Sequence, residues 1–135
     1  MNILKFIIIA LSTSLLAFIM FRKKDLEQSI PKSLYKIVSA EYWNTSQGKE
    51  KLRLSKMDAE FIHLATKKQI DRIAKKFFVD IPVFYILQLD PKKLPGTLKF
   101  EVNPGGRTKF YHLYNGSIPM TSIIEAKKIT NTLKQ

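Results

Sequence analysis

The run Val83-Phe84-Tyr85-Ile86-Leu87-Gln88-Leu89 is almost continuously apolar, is of strand length, and is closed by Asp90-Pro91. A strand that is apolar on both of its faces belongs in the buried centre of a sheet, so the rest of the chain has to build around it. Leu34 to Val38 alternates and ends β-branched, which predicts a strand, and Ser39 then opens a short helix through Trp43, the expected core anchor. Phe61 to Leu64, Thr97 to Val102 and Phe110 to Leu113 are further strands. Thr121 to Ile129 is a last strand or a short helix. Between the strands, Ile70, Ile73, Ala74, Phe77 and Phe78 recur at helical spacing behind the capping-box pattern of Thr66 and Gln69. Thr45 to Lys56 is polar and highly charged and is expected to be a loop of limited order. The outcome is an α+β domain with few short helices.

The first two dozen residues are of another kind. Phe6 to Phe21 carries no charge, with Lys5 before it and Arg22, Lys23 and Lys24 after it. As a helix, residues 3–21 span roughly 28 Å, enough to cross a hydrocarbon core of about 30 Å. The expectation is a single-pass N-terminal signal anchor at a membrane, the alternative a cleaved signal peptide that leaves a secreted or periplasmic domain. The parts are therefore 1–24, a hydrophobic segment; 25–33, a linker; 34–130, the globular domain; and 131–135, a polar tail.

The charge belongs to the domain. Of 23 Lys and Arg and 11 Asp and Glu, 19 and nine lie from Lys32 onward, which leaves +10 of the +12 there. Such a surface attracts an anionic small molecule or lipid headgroups, or is a plain solvated basic face, which the scatter of the lysines favours. The lysines come in scattered pairs and no aromatic RNA-recognition signature accompanies them, so nucleic acid is not the expected partner. The chain has no cysteine, which excludes disulfides, thiolate catalysis, iron-sulfur clusters and cysteine zinc sites. No His-x-x-x-His pair or carboxylate-rich ligand run is present, and no metal site is expected.

Chemistry is expected at the histidines. The chain has two, and both sit in the same frame: Phe61-Ile62-His63-Leu64 and Phe110-Tyr111-His112-Leu113. On a strand, Phe61 shares a face with His63, and Phe110 with His112, so each imidazole is expected beside an aromatic wall. If the two strands are neighbours, both imidazoles line one cleft. His63 also lies just before a helix N-terminus, whose free N–H groups favour an anion. The structural alternative is that each histidine is a satisfied core group. Glu101, on a strand with Lys99, is a candidate carboxylate or one half of a surface ion pair. The Asn103-Pro104-Gly105-Gly106-Arg107 turn is a ligand cradle or a plain turn.

The strand Leu34 to Val38, Trp43, Phe61-Ile62-His63-Leu64-Ala65-Thr66 with Gln69, Glu101, Gly105-Gly106, Phe110 to Tyr114 and Pro119 together resemble the domain of unknown function 952 family, in order and in spacing, from about Tyr35 to Ile129. The chain departs from the family pattern at Glu60, Ala65 and Tyr111, where the family has Gly, Ser and Pro. The resemblance implies an ADP-ribosyltransferase-like fold, a compact split antiparallel sheet opening a cleft for a nicotinamide dinucleotide, with NAD or ADP-ribose as the ligand. It casts His63, His112 and Glu101 as catalytic residues and Thr66, Gly105, Gly106, Arg107 and Tyr114 as ligand-binding ones. The implied activity is that of a transferase or glycohydrolase on a nucleotide substrate. The alternatives are a module that binds such a ligand without turnover and a structural domain held at a membrane.

Overall fold

The computed structural model describes residues 29–132. The chain divides into two compact units, Met1–Ile30 and Pro31–Gln135, and all elements below belong to the second. Its strands are β1 (Leu34–Ser39), β2 (Ile62–Leu64), β3 (Val83–Leu89), β4 (Thr97–Val102), β5 (Lys109–Tyr114) and β6 (Ile123–Thr130). Among the described residues, two α-helices, α1 (Ala40–Ser46) and α2 (Ile70–Phe77), and four 3-10 turns accompany them.

The apolar run 83–89 is a central strand: β3 pairs antiparallel with β1 on one edge and with β6 on the other. A second sheet has the order β2-β5-β4, also antiparallel, with β5 in the middle. The period-2 alternation of the strands gives each sheet one apolar face. Leu34, Val38, Leu87 and Leu89 from the first sheet and Ile62, Leu64, Tyr111 and Leu113 from the second form one buried cluster, joined by Leu52 and Ile118. Each fully buried aliphatic side chain there contributes about 1.5–3 kcal/mol.

The expected fold, a compact ADP-ribosyltransferase-like split antiparallel sheet, is corrected by this topology. There are two separate three-stranded sheets, because β3 and β5 each spend both edges on their own neighbours. Besides their shared core, the sheets are joined at an isolated bridge, where Tyr35 N–H donates to Ala65 O (2.9 Å) and Ala65 N–H to Tyr35 O (2.8 Å). The membrane-spanning helix expected over 3–21 lies outside the described residues. Among those described, no helix is long and apolar enough to cross a membrane.

Two local readings also change. The stretch 45–56 is pinned: Leu52 is buried, its N–H donates to Ile118 O, and Arg53 N–H donates to the buried Ser46 Oγ. The last element is a strand, preceded by the turn Met120–Ser122. Where β4 begins and β5 has ended, Gly96 (φ +115°) lies against Tyr114 O and the Gly116 backbone, and Gly116 against Pro95 O and Leu113, with no room for a side chain on either.

Candidate functional site

Strand β5 alternates Phe110, His112 and Tyr114 on one face with Tyr111 and Leu113 on the other. The core takes the second set, so the first faces away from it. Strand β2 does the same with His63 between the buried Ile62 and Leu64. The register places His63 directly opposite His112, and β4 adds Lys99, opposite His112, and Glu101 on that face. The two imidazoles meet edge to face, their centroids 5.4 Å apart. Phe61 stacks on His112 at 4.1 Å and also touches His63 and Tyr114, so one phenylalanine serves as the aromatic wall of both histidines.

Each imidazole has its own carboxylate. His63 Nδ1 lies 3.1 Å from Asp58 Oδ1, and His112 Nδ1 lies 2.9 Å from Glu101 Oε1. A carboxylate accepts, so Nδ1–H is the donor in both pairs and Nε2 is the nitrogen left for other work. Asp58 Oδ1 also accepts from His63 N–H (3.1 Å) and from Lys36 Nζ (2.7 Å), and Lys36 donates a second bond to His63 O (3.1 Å). Burial alone raises the Asp58 pKa, but the bond with His63, the Lys36 charge and the remaining bonds outweigh it and hold the carboxyl down at about 2. Burial lowers the pKa of Lys36 against the opposing pull of Asp58.

Glu101 is held below the usual carboxylate range, first by the hydroxyl of Tyr114 and then by His112, both of which donate to Oε1. The same bond pushes Tyr114 up to about 12, so at neutral pH a protonated phenol faces an ionised carboxylate. Lys99 Nζ sits 4.6 Å from the centre of the Tyr114 ring. The two dyads differ in access. His63 is 37% exposed and His112 is 1% exposed, with an Nε2 that is buried and has no partner.

His63, Asp58 and Lys36 border a cleft of about 370 Å³ between β1, α2 and the segment Ser55–Asp58. Its remaining walls are mostly apolar, including Val38, Tyr42, Met57, Ile73, Phe78 and Phe110. Among the described residues, no three His, Asp or Glu side chains are grouped so as to hold a metal ion.

Residues 37–126 match the family model described as "Protein of unknown function (DUF952)". The chain belongs to the DUF952 family. No curated protein matches it. The DUF952 domain is similar to protein CC0527 from Caulobacter crescentus. The crystal structure of CC0527 shares 26% identity over 71% of this chain and 84% of its own, with a TM-score of 0.62. Its solution NMR structure shares 26% over 74% and 86%, with a TM-score of 0.63.

Within this DUF952 domain, the sequence-expected residues His63, His112, Glu101 and Tyr114 come together on one face. The other expected ligand residues do not join them. Thr66 lies in a shallow depression with Pro31, Ser33 and Lys68. Gly105, Gly106 and Arg107 form an exposed turn in which Gly106 N–H donates to Asn103 O, and of this turn only Asn103 reaches the cleft. Sequence reasoning missed Lys36 and Asp58. Lys36 has a signal, since the alternation of β1 puts it between Leu34 and Val38 on the buried face, where a charge needs a partner. At Tyr111 the chain buries a phenol whose hydroxyl has no partner and whose pKa is raised by that burial.

Proposed function

We propose that the cleft binds an anionic, ring-bearing small molecule of nucleotide type, and that His63 acts on it as a general acid–base group in a transfer or hydrolysis reaction. The observation that carries this reading is the accessible His63 at the cleft wall, its Nδ1 held by the Lys36–Asp58 pair, with the buried imidazole of a second carboxylate–histidine dyad 5.4 Å from its own. A base must have its tautomer fixed and its free nitrogen turned to the substrate, and Asp58 does the first while solvent access allows the second. Aromatic walls suit a flat ring, and the +10 charge from Lys32 onward favours a phosphate. At about 370 Å³ the cleft is near the lower end of ligand sites, enough to enclose one nucleotide unit of ADP-ribose or NAD while the rest of the ligand extends outside it.

Glu101 lies outside the cleft lining and takes both of its hydrogen bonds through Oε1, so its part in turnover is to hold His112 and Tyr114 rather than to meet the sugar. That same engagement favours the second reading, a module that binds the ligand without turnover, because a carboxylate already serving His112 and Tyr114 is not a free nucleophile.

Calorimetric titration with ADP-ribose and NAD, beside His63→Ala, tests binding, and release of nicotinamide from NAD with the wild type and Glu101→Gln tests turnover. Heat lost in a folded His63→Ala variant, with product formation abolished by Glu101→Gln, is the expected result. Heat without product leaves the binding module, and no heat with either ligand overturns the nucleotide reading.

A further inference from the structure

The mouth of the cleft is built differently from its floor. Met57 and Phe77 both line it and are nevertheless 78% and 62% exposed, and Val79, two residues on, is 59% exposed. Single exposed apolar side chains are ordinary, but Met57 and Phe77 together at one opening, with Val79 just beyond it, mark a contact surface. Helix α2 carries the feature further. Its apolar stripe of Ile70, Ile73, Ala74 and Phe77 contains no buried residue, so the helix lies on the domain with its apolar side only half covered.

Charge surrounds these apolar tips. Lys56 precedes Met57, and Lys75 and Lys76 precede Phe77, all three exposed, with Lys76 Nζ 5.1 Å from the centre of the Phe77 ring. Along residues 67–80 the chain places Lys67, Lys68, Arg72, Lys75 and Lys76 against Asp71 and Asp80. A soluble anionic ligand would use the cations and leave the apolar tips in water. An apolar protein partner would cover the tips and leave the cations uncompensated. An anionic bilayer surface satisfies both, because headgroups neutralise the lysines while the tips enter the boundary of the acyl chains.

We infer that the rim formed by Met57, Phe77 and Val79, with Lys56, Lys75 and Lys76, docks on an anionic phospholipid surface and sets the mouth of the cleft against it. The inference concerns how the cleft is presented and holds whichever ligand the cleft takes.

The absence of native cysteine allows a direct test on the full chain. Phe77→Cys, and separately Met57→Cys, is labelled with an environment-sensitive fluorophore and mixed with phosphatidylcholine vesicles with or without phosphatidylserine, some carrying brominated acyl chains. Both positions are largely exposed, so the labels leave the core untouched. The expected result is a blue shift and bromine quenching only when phosphatidylserine is present. Reversing Lys75 and Lys76 to Glu should weaken the vesicle affinity read at the label by more than about tenfold, and high salt should abolish it.

Bound vesicles with an unquenched label mean that the chain attaches through another segment, and this overturns the inference. So does equal quenching without phosphatidylserine. A label already in an apolar environment before vesicles are added shows that a second copy or another part of the chain covers the rim, which also overturns it.

Discussion

Lys36 brings an ammonium group into a strand face otherwise made by Leu34 and Val38, and its side chain is 9% exposed. Taking a charge that deep is costly, and it is offset here because Asp58, 3% exposed, meets it at 2.7 Å. Replacing Lys36 with Met leaves Asp58 buried with only His63 beside it. Chemical denaturation should show a loss of about 3 kcal/mol, and the double variant Lys36→Met/Asp58→Leu should recover much of it, since an apolar pair no longer strands a charge. The pH dependence has a definite sign. The Asp58 carboxyl titrates at about 2 in the fold against an ordinary value of 3.8, so its contribution is complete above pH 3.8 and disappears as the pH falls through 2. Acid titration followed by circular dichroism should therefore place a stability loss in that window for the wild type, and the Lys36→Met/Asp58→Leu variant should lack it. Neither residue was visible as part of the site in the sequence, because a lysine and an aspartate 22 positions apart carry no local pattern that pairs them.

At the scale of elements, local pattern and tertiary pairing divide the work. Strand β3 runs over the continuous apolar stretch 83–89, β4 over the alternating residues 97–102, and α2 follows its apolar stripe, since such patterns are properties of neighbouring residues. The last strand was ambiguous because Ile123–Thr130 has no strict alternation, and its pairing with β3 decides the outcome. The identical frames around His63 and His112 foretold a pair, whereas the division into two sheets depends on which edges meet and leaves no trace in composition. Turn geometry adds a test. A Cβ on Gly116 would lie 2.2 Å from Pro95 O and 2.8 Å from Leu113 Cγ, so Gly116→Ala should cost at least about 2 kcal/mol in thermal or chemical unfolding. Gly48 has φ +74° and open space, and Gly48→Ala should cost only about 1 kcal/mol, from backbone strain alone.

Across the whole molecule, stability is distributed unevenly. The middle strands β3 and β5 are bonded on both edges and carry Leu87, Leu89, Tyr111 and Leu113 into the core, whereas α2 has no buried residue. Native-state hydrogen exchange should find the slowest amides in β3 and β5 and early exchange in α2, the helix that walls the cleft. Strand β2 stands between these extremes. It has three residues, two of which anchor the core while the one between them reaches the cleft. Because side chains alternate, a slip of one residue against β5 would turn His63 inward and thrust Ile62 and Leu64 into water. A chain in that wrong alignment loses its imidazole pair and its apolar anchors together, so a misfolded copy cannot keep a working histidine pair, and any activity measured at His63 counts correctly zipped molecules.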